Sequence, residues 1–153
     1  MKMIKQKKSA LQKATDLLAH QEQSSATLRM KLLARKYDVA EIEEALAKLQ
    51  KYNYLDDEET CRRQFENLYS EEKLSVRQIV IKLIQRGFDK NFIERLIPDD
   101  SDEHEQLVAE KLLAKKFTRG ENFDKAKAWQ FLSARGFEGE IISSAVENFL
   151  HGD

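Results

Sequence analysis

Apolar residues recur along the chain at helical spacing, in blocks that short polar or glycine-containing turns separate. Ile42, Leu46 and Leu49 fall on one face of a helix, as do Trp129 and Leu132, and we expect these side chains to pack in a core. No segment shows the alternation of apolar and polar residues that a half-buried strand requires. Leu, Lys, Glu, Ala, Gln and Arg dominate, and all favour helices. The chain is therefore predicted to be all-α.

Helix start and stop signals divide the sequence into three units of three helices each. The predicted helices are 8–20, 26–35, 39–52, 57–71, 76–86, 90–97, 102–117, 123–135 and 139–150. The predicted N-caps are Ser24 or Ser25, Asp56, Ser75 and Ser101. Pro98 closes the second unit, because proline cannot continue a helix.

One phrase occurs three times, at the point where the second helix of a unit ends and the third begins. Its copies centre on Arg35, Arg86 and Arg135, which are 51 and 49 residues apart. An aromatic residue follows each arginine two positions later, an acid three positions later, and an isoleucine seven positions later. Matched residue classes at this spacing indicate internal repeats.

The residue after each arginine ends a helix, where a left-handed backbone suits glycine. Gly87 and Gly136 fit this role, whereas the first unit has Lys36, which predicts a slightly different or strained turn. The acid of the phrase is placed to cap the next helix. Asp38 and Glu41 have the spacing of a capping box.

We expect a single domain over residues 1–153, with repeats at 8–52, 57–97 and 102–150. A three-helix unit of this size is not expected to bury its apolar face alone, so neighbouring units should complete the core. The predicted fold is an all-α tandem array of three three-helix repeats, elongated and curved, with one long concave side.

The net charge of −1 and the isoelectric point near 6.3 argue against a protein that coats nucleic acid by bulk charge. The charge is nonetheless patterned, with five lysines and no acid in the first 13 residues. The single cysteine excludes an internal disulfide and suits a reducing compartment. No apolar run approaches the roughly 20 residues of a membrane span, and no secretory signal is seen. We expect a cytoplasmic monomer.

An enzyme should show a cluster of reactive side chains, and the sequence has none. Its three histidines are far apart, so no metal site is expected. Cys61 lacks a neighbouring base, although Arg62 and Arg63 could lower its pKa. No glycine-rich phosphate loop is present, and the acidic run after Leu55 suits a helix N-terminus better than a calcium loop. We therefore expect neither enzymatic activity nor a cofactor.

Binding is the remaining function, because helical repeat arrays commonly bind partners along one face. Basic residues near the joints could pair with phosphates or with an acidic protein surface. The candidates are Arg29, Lys31, Arg35, Lys36, Lys73, Arg77, Lys82, Arg86, Lys111, Lys115, Lys116, Arg119 and Arg135. Any one of them could instead be a solvated surface residue.

Four phrases in order make the chain resemble the RecX family of bacterial recombination regulators. They are "ALQKATDLLAHQEQSSATLRMKLLARKY", "LQKYNYLDDEETCRRQF", "SVRQIVIKLIQRGFDKNFI" and "AWQFLSARGFEGEII", and together they span nearly the whole sequence. The resemblance implies tandem three-helix repeats. It also implies a non-enzymatic protein that binds RecA filaments on single-stranded DNA and restrains their ATP hydrolysis and strand exchange, in recombination and the SOS response.

The link "SEEKL" departs from the family, which usually carries a basic, glycine-containing segment there. Lys73 and Arg77 are the remaining cations near this link. An alternative function stays open at this stage, in which the second and third helices of a unit bind DNA directly, somewhat like helix-turn-helix elements. The acidic stretches and the low isoelectric point weigh against it.

Overall fold

The computed structural model describes residues 7–152, which form nine α-helices and no strand. The helices are α1 (Ala10–His20), α2 (Ser25–Ala34), α3 (Val39–Lys51), α4 (Asp57–Ser70), α5 (Val76–Gln85), α6 (Lys90–Leu96), α7 (Ser101–Lys116), α8 (Lys125–Ala134) and α9 (Gly139–His151). Each limit lies within two residues of its prediction, and the all-α class is confirmed. Lys2 and Lys5 of the basic N-terminal segment lie outside the described residues.

The helices form three units: unit 1 contains α1–α3, unit 2 contains α4–α6 and unit 3 contains α7–α9. Every closely packed pair of helices lies within one unit. Each unit has its own apolar cluster, around Leu28 and Ile42 in unit 1, Phe65 and Ile79 in unit 2, and Val146 in unit 3. The expectation that neighbours complete one another's core is therefore wrong. We propose 8–52, 57–97 and 102–150 as the repeat boundaries, and the curvature of the array stays a prediction.

The turn between the second and third helices of a unit, here called the joint, has one geometry in all three units. Lys36 has a φ of 65°, close to the 91° of Gly87 and the 88° of Gly136. In each joint the next N–H returns to the second helix, as when Phe88 N–H donates to the Leu83 carbonyl at 3.1 Å. Of the two alternatives predicted for Lys36, the different turn is wrong and the strained turn is confirmed. The lysine adopts the left-handed conformation at a cost of about 1 kcal/mol.

The contact between two successive units, here called a junction, is built in the same way twice. The N-cap serine of the second helix donates to the arginine carbonyl at the next unit's joint. Ser24 Oγ lies 2.6 Å from the Arg86 carbonyl, and Ser75 Oγ lies 2.5 Å from the Arg135 carbonyl. Repetition in the sequence thus reflects a contact that each unit makes with the next.

Glycine is required at the second and third joints because the preceding unit lies against them. A Cβ on Gly87 would come within 2.7 Å of Ser24 Oγ, and one on Gly136 within 3.1 Å of the Arg77 Cβ. Within residues 7–152 no other unit packs against the joint of unit 1, and there Lys7 Nζ donates to the Arg35 carbonyl at 2.9 Å. A side chain at position 36 therefore meets no neighbouring unit.

A carboxylate and an ion pair complete each junction. The first N–H of α2, at Ser25, donates to Asp57 at 2.8 Å, and the first N–H of α5, at Val76, donates to Glu105 at 2.6 Å. The ion pairs are Glu22 with Arg63, and Glu72 with Lys111. Tyr69 also stacks on His104 across the second junction, with ring centroids 3.7 Å apart. The junctions are mainly polar, unlike the cores inside the units.

Three local predictions need correction. Asp38 makes no side-chain capping bond, and Glu41 accepts from the Ala10 N–H of α1 instead of completing a capping box. Asp100, rather than Ser101, precedes α7. Trp129 is 37% exposed and lies over Gly139 at the surface of unit 3. Ser24, Asp56 and Ser75 are confirmed as N-caps.

The joints predict that an alanine is tolerated in the first unit and not in the second. Gly87→Ala should lower the free energy of unfolding by about 2 kcal/mol or more, since it combines left-handed strain with overlap against unit 1. Lys36→Ala adopts the same backbone without a neighbour and should change it by less than about 0.5 kcal/mol. Urea unfolding followed by far-UV circular dichroism measures both. Equal effects would contradict the close approach of the units.

Candidate functional site

The thirteen cations proposed from the sequence do not form one continuous surface. Two of them lie in a polar cleft of about 190 Å³ at the first junction. There Lys31 Nζ donates to Gln23 at 2.7 Å, and the Arg86 guanidinium donates to Gln64 at 2.7 Å. Because the Arg86 carbonyl also accepts from Ser24, Arg86 belongs to the junction as much as to any binding surface.

Several other candidates are occupied by partners within the protein. Arg29 forms an ion pair with Glu43 at 2.6 Å, and the hydrogen bond it donates lowers the pKa of that carboxyl. Lys111 pairs with Glu72 across the second junction. Arg35 donates to the Lys31 carbonyl at 3.0 Å at the end of α2. These side chains stabilise the fold and are less available to a partner.

Unit 3 holds a cation cluster on an aromatic ring. Phe131 carries the Arg135 guanidinium 3.7 Å from its centroid and Lys116 Nζ at 5.0 Å. Arg119 lies apart, over Phe149 at 5.3 Å, and donates to the Gly152 carbonyl. The run "KKFTR" therefore splits into two places, and the structure brings Arg135 to Lys116 instead.

The remaining candidates are exposed side chains, and no hydrogen bond or ion pair is found for their side chains within residues 7–152. They are Lys36, Lys73, Arg77, Lys82 and Lys115. Arg77 borders the second junction, where its stem packs beside Gly136. Exposure leaves these cations accessible to a negatively charged partner.

A second cleft, of about 660 Å³, lies between units 2 and 3 and was not predicted from the sequence. Ile81 and Ile84 of α5 face it and are 45% and 40% exposed. Met30 and Leu33 occupy the equivalent positions 51 residues earlier, and both are also exposed. This apolar pair recurs on the solvent side of the second helix in units 1 and 2. Its recurrence in the sequence could have indicated the exposed apolar wall of the cleft.

Glu105 is the most perturbed carboxyl of this cleft. It is 8% exposed, and burial raises its pKa to about 7, although the hydrogen bond from the Val76 N–H lowers it. The nearby carboxylates of Asp102 and Glu138 raise it further. A carboxyl that titrates near neutrality at an interface marks a candidate functional site.

Cys61 is buried in the core of unit 2, and burial raises the pKa of its thiol to about 11. Asp57 contributes to the rise, and Arg62 opposes it without prevailing. The possibility that Arg62 and Arg63 activate this thiol is therefore wrong. Within the described residues, no group of three or more His, Cys, Asp or Glu side chains is arranged to hold a metal ion. No helix of residues 7–152 has both the length and the apolar character of a membrane span.

Comparison with known proteins gives consistent results over most of the chain. A family model described as "RecX, first three-helix domain" matches residues 10–49, which is nearly the whole of unit 1. The "Regulatory protein RecX" of Thermus thermophilus is 36% identical over 128 residues, covering 84% of this chain and 83% of that protein. The protein of the same name from Haemophilus ducreyi is 30% identical and covers 86% of each chain.

Solved structures share the fold. The crystal structure of RecX from Lactobacillus salivarius superposes with a TM-score of 0.76 and covers 92% of this chain and 94% of that one. A second structure, titled as regulatory protein RecX, gives a TM-score of 0.78 over 90% of this chain and 71% of that one. Their sequence identities are 19% and 20%, so the similarity to these structures supports the fold alone.

The raised pKa of Glu105 predicts a pH-dependent effect on stability. The pKa of Glu105 in the folded protein is about 7, whereas the ordinary pKa of a glutamate is 4.5. The contribution of Glu105 to the free energy of unfolding is therefore fully present below pH 4.5 and is lost as the pH rises through 7. Glu105→Gln should be more stable than the wild type at pH 8, by up to about 3 kcal/mol, and nearly equal to it at pH 4.5.

Urea unfolding of both proteins across this pH range measures the difference. Glu103→Gln, on the exposed first turn of the same helix, is the matched control and should show no such pH-dependent gain. If the difference in free energy of unfolding between Glu105→Gln and the wild type did not change with pH, the raised pKa of Glu105 would be contradicted.

Proposed function

The chain belongs to the RecX family, and on that premise we propose that it regulates homologous recombination by binding RecA filaments in the cytoplasm. In this proposal it restrains the ATP hydrolysis and strand exchange of RecA. The observation that carries the proposal is 36% identity with a protein named "Regulatory protein RecX" over 84% of the chain. Family membership thus rests on an alignment over 84% of the chain rather than on one motif.

The architecture supports binding to a repetitive assembly. Three units in tandem, each with its own core, present exposed cations at several places along the array. A helical filament presents the same surface on every protomer, so several weak contacts can act together. Such multivalent binding can exceed the affinity of one contact by about 100-fold or more.

The cation cluster of unit 3 is the contact we favour. Phe131 holds Lys116 and Arg135 side by side, and Lys115 is exposed next to them on the last turn of α7. Because the ring restricts two of the three cations, less side-chain entropy is lost when they pair with an acidic surface. Arg29 and Lys111 already have carboxylate partners and are weaker candidates.

The charge reversal Lys115→Glu/Lys116→Glu should weaken inhibition of the DNA-dependent ATPase of RecA about tenfold or more, as expected when charge attraction becomes repulsion. The wild-type protein should inhibit cognate RecA filaments well below a one-to-one ratio. The matched control is Lys125→Glu/Lys127→Glu, which makes the same charge change in the exposed first turn of α8, where acids suit the helix dipole. Steady-state ATP hydrolysis gives the readout.

Three outcomes separate the possibilities. Loss of inhibition in the first variant alone would support a contact through unit 3. Equal loss in both variants would point to bulk charge, and a steep fall in binding to DNA alone between low and moderate salt would then favour the direct DNA-binding alternative. No inhibition by the wild type at any ratio would refute the proposed function.

A further inference from the structure

The cleft between units 2 and 3 combines an apolar wall with a charged rim. Its wall includes Val80, Ile81 and Ile84 from α5, together with Ile97 and, from unit 3, Ile141. About 660 Å³ is large enough for several side chains of another protein. Apolar groups in such a cleft gain free energy when a partner covers them.

Charged residues give the cleft a negative balance. Glu94, Asp102 and Glu138 line it together with Glu105, against the two cations Arg77 and Lys90. Four acids and two bases leave a net charge of −2 when all are ionised. A partner segment that carries a cation therefore complements this surface better than an anionic one.

The two junctions differ at one hydrogen bond donor, and this difference makes Glu105 distinctive. At the first junction Asp57 accepts from Ser25 twice, from its N–H at 2.8 Å and from its hydroxyl at 2.5 Å. Val76 occupies the equivalent place at the second junction and has no hydroxyl. Glu105 therefore accepts only the Val76 N–H, at 2.6 Å, and no other donor within residues 7–152 reaches its carboxylate.

The result is a glutamate that is 8% exposed as a residue, lines an open cleft and accepts a single hydrogen bond within residues 7–152. Burying such a group is unfavourable unless a donor or a cation compensates it. The first junction supplies its own donor, whereas the second leaves that place open toward the cleft. The apolar wall beside it suits aliphatic side chains on either side of an incoming cation.

We propose that this cleft binds a protein segment in which a lysine or arginine, flanked by aliphatic side chains, pairs with Glu105. The incoming cation takes the place that the Ser25 hydroxyl has at the first junction. The inference rests on the proposed function, since the RecA filament is the protein that supplies the segment. In the cleft this chain contributes the negative charge and the partner the positive one, whereas in the unit 3 contact the charges are reversed.

Binding of the full-length protein to cognate RecA filaments on single-stranded DNA tests the cleft, with fluorescence anisotropy as the readout. Glu105→Gln keeps an acceptor for the Val76 N–H and removes the charge, and it should weaken binding about tenfold. Ile81→Ser/Ile84→Ser removes the apolar wall and should have an effect of similar size, about tenfold. Both isoleucines are partly exposed, so the fold should persist.

Two further variants make the test specific. Met30→Ser/Leu33→Ser changes the equivalent apolar pair of unit 1, which lies outside this cleft, and should stay within about twofold of the wild type. Val76→Ser places a hydroxyl beside Glu105, as Ser25 does beside Asp57. It should weaken filament binding without lowering stability, because the carboxylate then has an internal donor.

The outcomes distinguish the two proposals. Normal binding by both Glu105→Gln and Ile81→Ser/Ile84→Ser would overturn the cleft inference and leave the proposed function intact. Equal loss in the two serine pairs would also overturn it, since the apolar face would then act as a whole. Failure of the wild type to bind filaments would refute the proposed function, and the cleft inference with it.

Discussion

One type of hydrogen bond, made once at each of the two junctions, positions each unit against the next. The hydroxyl of an N-cap serine donates to an arginine carbonyl at the next unit's joint, first from Ser24 to Arg86 and then from Ser75 to Arg135. A Cβ on Gly87 would lie 2.7 Å from the Ser24 Oγ, so Gly87 is constrained by its neighbour as well as by its backbone. The ion pairs and carboxylate contacts of each junction join the same two units as this bond.

The apolar cores and the polar junctions contribute differently: the cores provide most of the stability, and the junctions fix how the units meet. Apolar burial within each unit provides the main driving force, and it is indifferent to direction. Hydrogen bonds and ion pairs between units contribute less free energy, but they are directional and fix how one unit meets the next. At the joint of unit 1 the Arg35 carbonyl accepts from Lys7 Nζ, where the Arg86 and Arg135 carbonyls accept from a serine of another unit.

Small differences between equivalent places distinguish the surfaces of the three units. Ser25 satisfies Asp57 at the first junction, whereas Val76 leaves Glu105 with one donor at the second. The third unit replaces the exposed apolar pair of α2 and α5 with polar residues and adds Phe131, which gathers cations. Repetition therefore supplies the scaffold, and departures from repetition supply the surfaces that we propose for binding.

The sequence by itself determined the nine helices and the three joints, because helical periodicity, serine caps and glycine stops are local properties of the chain. It also indicated the family, because four phrases that resemble the RecX family occur in order along the sequence. Only the tertiary structure decided that each unit has its own core, that Trp129 is partly exposed, and that Arg29 and Lys111 are paired. It also decided that Glu105 lacks a second donor. Those facts depend on contacts between residues that are far apart in the sequence, such as Val76 and Glu105, which are 29 residues apart. Local sequence patterns carry no information about such contacts.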